Sequence, residues 1–115
     1  MMSISRTATA LLIVALCGAV PASAFADDGA GIFRKNCVSC HGKDGQGTPG
    51  LAPALKGDKF VTGDIQAVID TVTNGRKDAQ KRYKDLPIAM PAWGTTLSAA
   101  DIKAVVDYIR GDLQK

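Results

Sequence analysis

Apolar residues recur at helical spacing in three stretches of the chain. In GDIQAVIDTVTNG, Ile65, Val68, Ile69 and Val72 fall three or four positions apart, and the run stops at Asn74-Gly75, a pair that ends helices. In LSAADIKAVVDYIRGD, Ile102, Val105, Val106 and Ile109 share one side, and Ser98 stands three before Asp101 in an approximate capping box. DDGAGIFRKN is shorter, with Asp27 or Asp28 as a candidate N-cap and Ile32 and Phe33 as apolar anchors. No stretch alternates with period two, so the pattern predicts an all-α domain of three main helices and long loops.

The first quarter of the chain follows a different pattern. One positive charge, Arg6, precedes 11 apolar or small residues from Ala10 to Val20, and the small residues of PASAFA follow. The apolar run is well short of the ~20 residues needed to cross a bilayer, and its flanks fit a secretory signal peptide. The expectation is a signal at residues 1–26, cleaved after Ala26, and a mature domain at 27–115 in the periplasm. Cys17 lies inside the discarded run. Its alternative role as a lipid-anchored cysteine is opposed by Leu16, which stands where a lipoprotein signal carries a small residue.

Charge adds little. The chain has 14 Lys and Arg against 11 acids, all Asp, for a net charge of +3. Removing the leader takes away only Arg6, a balance too mild to argue for nucleic acid. More telling is what stays behind the leader: Cys37, Cys40, one histidine at His41, and Met90 as the single methionine. A domain of this size is short of core and usually needs a staple. Two cysteines are too few for a disulfide framework.

The stretch CVSCH, residues 37–41, allows three readings. Cys37 and Cys40 could form a redox disulfide, but such motifs sit at strand-to-helix junctions and nothing upstream reads as a strand. They could bind zinc, but no second histidine or further cysteine completes the donor set. The third reading uses every residue of the motif. Two thiols three positions apart add across the two vinyl groups of one haem, and the adjacent imidazole reaches its iron. A thioether is a natural second axial ligand, and only Met90 supplies one. LPIAMPAWG surrounds it with Pro87, Pro91 and Gly94, a loop setting in contrast to the helical core where most methionines fill gaps. Between His41 and the next helix, GKDGQGTPGLAPALKG reads as a wrapping loop that contains Pro53.

These residues resemble the small monohaem class I cytochromes c over essentially all of 27–115. The resemblance rests on CVSCH, on the order of haem motif, proline loop, methionine loop and last helix, and on MPAWG. It implies one covalent haem c on Cys37 and Cys40, His41 and Met90 as axial ligands, and the Pro53 carbonyl as acceptor for the histidine's other ring nitrogen. It also places the family's first-helix glycine and aromatic on Gly29 and Phe33, and implies that Tyr108 of the last helix packs on that glycine. The function implied is periplasmic one-electron transfer, not enzymatic catalysis, by a monomer with no membrane span and no nucleic-acid partner. Two alternatives remain: a haem subunit fixed to one dehydrogenase or reductase, and a gas- or peroxide-binding protein in which Met90 dissociates. The latter lacks an evident distal histidine or arginine.

The chain departs from compact relatives between Gly75 and Met90, where NGRKDAQKRYKDLPIAM is longer. Arg76, Lys77, Lys81, Arg82 and Lys84 in this stretch suggest a basic docking face for an acidic redox partner, although charge runs are usually just solvated. Trp93 either walls the haem pocket or donates its ring N–H to a haem propionate, and a plain sealing role is the alternative.

Overall fold

The computed structural model describes residues 28–77 and 81–115. The signal-peptide expectation, Cys17 and Asp27 lie outside these residues. The helices are α1 (Gly29–Asn36), α2 (Val38–His41), α3 (Ile65–Asn74) and α4 (Ala99–Arg110), with 3₁₀ turns at Trp93–Thr95 and Asp112–Gln114. Among the described residues there is no strand, only isolated antiparallel bridges pairing Thr48 with Ala52 and Arg76 with Met90.

Local chemistry accounts for the helix ends. Asp64 caps α3 by accepting from the Gln66 N–H at 3.0 Å. Ser98 and Asp101 exchange both bonds of a capping box at the start of α4. Asp28 occupies the N-cap position of α1, but its side chain makes no capping bond. The motif helix α2 has no apolar period to announce it. It forms because Cys37 ends α1 and the chain at once turns again, with the His41 N–H donating to the Cys37 carbonyl at 2.9 Å.

The core joins the three longer helices. Ile32 and Phe33 of α1, Val68 and Val72 of α3, and Ile102, Val105, Val106 and Ile109 of α4 are buried together with Val61 and Leu113. Ile65 and Ile69 of the α3 stripe are only partly buried against that core. Phe33, Val105 and Val106 are fully enclosed, each gaining on the order of 1.5–3 kcal/mol from burial. α1 and α4 meet closely because Gly29 has no side chain: a Cβ there would lie 2.2 Å from the Ala104 carbonyl oxygen and 2.9 Å from Tyr108 Cβ. The Phe33 and Tyr108 rings pack beside this crossing at 5.5 Å and 52°.

The end of α4 holds the loop that precedes α3. The Arg110 guanidinium donates to the carbonyls of Val61 (3.0 Å), Thr62 (3.4 Å) and Gly63 (2.7 Å). Gln114 donates to Leu55 O and accepts from Gly57 N–H. The core thus reaches through α4 to residues 55–63, of which Leu55, Asp58, Phe60 and Val61 line the site described next.

Candidate functional site

α2 brings the motif side chains to one face, since Cys40 and His41 follow Cys37 by three and four residues. Gly42, at φ 83°, ends the helix. The loop beyond folds back through Gly47 N–H to His41 O (2.8 Å) and Thr48 Oγ1 to Cys40 O (2.7 Å). This return delivers the Pro53 carbonyl to His41, whose Nδ1–H donates to it at 2.9 Å. With Nδ1 carrying the proton, Nε2 keeps the lone pair that a metal needs. Burial pulls the ring's pKa below its ordinary value against the opposing pull of the Pro53 bond, so the imidazole is held neutral. Cys37 is pushed up to about 11, chiefly by burial and further by Cys40, and both cysteines are free thiols.

Met90 is positioned by a backbone clasp. The Arg76 N–H donates to Met90 O at 3.1 Å, and the Met90 N–H donates to Arg76 O at 2.9 Å. The Arg76 guanidinium turns back to Thr71 Oγ1 (2.6 Å) and Gly75 O (3.0 Å), tying the clasp to α3. Gly75 sits at φ 70°, and a Cβ there would come within 2.3 Å of Met90 O. A Cβ at Gly94 would lie 2.8 Å from Thr73 Cγ2, so its absence lets the Trp93 turn sit on the same helix.

Cys37, Cys40, His41, Pro53, Met90 and Trp93 all line one cleft of about 350 Å³, a volume in the range of cofactor pockets. Leu51, Leu55, Phe60, Val61, Val68, Val72 and Ile109 supply its apolar lining. The donor set fits a covalent haem: paired free thiols, a neutral imidazole with Nδ1 already engaged, and one thioether opening onto the same apolar space. Zinc is poorly served, since no group of three or more His, Cys, Asp or Glu side chains converges among the described residues.

Within the basic stretch, Lys77, Arg82 and Lys84 are exposed, and Arg76 and Lys81 are half-buried. Arg76 is half-buried in the clasp, Lys81 donates to Leu86 O, and Arg82 pairs with Asp58 at 3.1 Å. Lys77 and Lys84 are exposed and lie outside the cleft lining. Arg76 and Arg82 do line the cleft, so arginines stand beside the site that the sequence did not announce, both bound to protein acceptors. Asp58 and Phe60 were likewise missed. Nothing in KGDKF marks them, because their importance comes from residues 22 or more positions away.

The family described as cytochrome c oxidase, cbb3-type, subunit III, matches residues 24–109. The chain is 37% identical over 97 residues to the cbb3-type cytochrome c oxidase subunit FixP of Azorhizobium caulinodans, covering 82% of this chain and 30% of that one. It is 36% identical over 91 residues to cytochrome c6 of Microcystis aeruginosa, covering 76% of this chain and 98% of that one. The chain thus spans about a third of the oxidase subunit and nearly the whole of the small cytochrome. Cytochrome c6C of Synechococcus sp. PCC 7002 superimposes with a TM-score of 0.57 at 28% identity, over 76% of this chain and 96% of that one. Fold, donor set and relatives agree: the chain belongs to the cytochrome c family in its cbb3-type subunit III group, with the class I monohaem fold and the residues of a haem c site.

Proposed function

We propose that the domain works in the periplasm after export, with haem joined through Cys37 and Cys40 and its iron held between His41 Nε2 and the Met90 sulfur. The observation that carries this reading is the convergence on one apolar cleft of a His41 ring fixed by Pro53 and a Met90 backbone fixed by Arg76. When bound, haem supplies reversible one-electron chemistry at iron. The protein's part is to keep both ligands in place in either redox state. Pro53 fixes the imidazole's tautomer and raises its basicity. The apolar lining disfavours added charge, and the Met90 thioether favours the reduced state. Trp93 is half-buried in the lining, and its role there is to wall the pocket or to donate its ring N–H to a haem carboxylate.

Docking uses Lys77 and the exposed part of the 81–92 segment. Lys77 and Lys84 are the members of the basic stretch exposed and without a protein partner among the described residues. Tyr83 and Ile88, 37% and 53% exposed, add an apolar patch close to Met90. An acidic partner would be steered by the lysines and seated on the patch. Reversing both lysines should slow electron transfer at low salt and flatten its salt dependence.

Similarity to an oxidase subunit as well as to a small cytochrome favours a second reading, a haem domain that serves one fixed complex. Co-purification at native expression separates the two readings. No helix among the described residues is long and apolar enough to cross a membrane.

The ligand assignment is tested by Met90→Ala. The variant should lose the weak ferric charge-transfer absorption of iron–thioether ligation, lower its reduction potential and bind cyanide. An unchanged spectrum would remove Met90 from the iron.

A further inference from the structure

The stretch 81–86, which leads into Met90, is fastened to residues 58–61. Asp58 sits at the junction. Its Oδ1 accepts from the N–H groups of Phe60 (2.9 Å) and Val61 (3.1 Å), which fixes the carboxylate in its own turn. The same carboxylate receives Arg82 Nη1 at 3.1 Å on Oδ1 and the Tyr83 hydroxyl at 3.2 Å on Oδ2. The Arg82 guanidinium also lies 4.6 Å from the centre of the Phe60 ring, within cation–π range. Asp58, Phe60, Val61, Lys81, Arg82, Tyr83, Leu86 and Met90 all line the haem cleft. The latch therefore joins the loop held by α4 to the segment that leads into Met90.

We propose that Asp58, Arg82 and Tyr83 are positioning residues that hold the Met90 segment closed over the iron and so set how readily the methionine gives way to an outside ligand. This rests on the assignment of Met90 as axial ligand. Two features favour a local role over a general structural one. The Asp58 side chain is 14% exposed, whereas that of Arg82 is 45% exposed, so the pair adds little to global stability. The bonds also span 24 and 25 residues and meet no helix of the core, so they restrain the relative placement of two lining segments. Openings of such segments draw on local stability, which surface pairs can govern.

The alternative is that Asp58 only caps its own turn. Arg82→Gln and Tyr83→Phe, singly and together, leave that turn untouched and remove the latch. The test is the rate of cyanide binding to the ferric haem-loaded protein, alongside the charge-transfer absorption and helical circular dichroism. The double variant should keep its helical signal and bind cyanide roughly three- to tenfold faster, the range expected from losing one partly exposed ion pair and one hydroxyl bond. The wild-type rate should rise with salt, which screens the pair, and the Arg82→Gln rate should respond less. A double variant that binds cyanide at the wild-type rate would overturn the latch. Met90→Ala run beside it separates the failures: if that variant opens the iron while the latch variants change nothing, the latch alone is wrong, and if Met90→Ala leaves the spectrum unchanged, the ligand assignment falls and the latch with it.

Discussion

The histidine side and the methionine side of the cleft are built by different means. His41 is held within 12 residues of chain, by the turn of α2, by Gly47 and Thr48 folding back onto the carbonyls of His41 and Cys40, and by the Pro53 carbonyl on its ring. Met90 returns from an excursion that begins at Arg76, and its placement rests on two backbone bonds and a half-exposed latch. Local backbone bonds close small loops at little entropic cost, whereas the longer excursion closes against a larger one with weaker, screenable pairs. Under the proposed ligation, the histidine should thus be the fixed ligand and the methionine the yielding one.

The largest test removes what the two sides share. Cys37→Ala with Cys40→Ala should give a protein without covalent haem, largely unfolded by circular dichroism, because the core is closed by the cofactor as much as by its helices. A helical, cooperatively melting apo-protein would show that the α1–α4 core stands alone.

A smaller effect falls on the methionine side only. Gly75→Ala must place a side chain at φ 70° against Met90 O, at a cost of about 1–3 kcal/mol in backbone strain before any contact is counted. Its charge-transfer absorption should weaken, while spectral features that report histidine ligation persist. Equal damage to both would contradict the separation of the two sides.

The smallest effect is in acid. Burial alone would push the Asp58 carboxyl up, but the Val61 N–H, Arg82 and Tyr83 outweigh it and hold it below its ordinary value of 3.8. A carboxyl lowered in the folded state adds stability in full above that ordinary value and loses it as the pH falls through the folded one. Methionine ligation should therefore be insensitive to Asp58 from neutrality down to about pH 4 and weaken only below it. In Arg82→Gln the weakening should begin at higher pH, as monitored by a spectroscopic acid titration.

The same contrast explains what the sequence could say. The stripes of α3 and α4, the capping box at Ser98 and the compact CVSCH motif are local patterns, and they appear where the periodicity puts them. The stretch between Gly75 and Met90 was visible only as a long, charged run. Sequence spacing cannot tell that Arg76 turns back to Thr71 while Lys77 faces solvent, or that Arg82 finds Asp58, because those outcomes depend on where two distant segments meet. Of the five residues of the expected basic face, Lys77, Arg82 and Lys84 are exposed, and Arg82 is paired with Asp58.

The unequal holding of the two ligands is tested most directly by native-state hydrogen exchange on the ferric haem-loaded protein. The Gly47 and Leu55 amides, bonded to His41 O and Gly45 O, report the histidine side; the Arg76 and Met90 amides, bonded to each other's carbonyls, report the methionine side. The account predicts that Arg76 and Met90 exchange through a lower-energy local opening, by roughly 1–2 kcal/mol, than Gly47 and Leu55. Equal protection on both sides, or stronger protection at Met90, would contradict it.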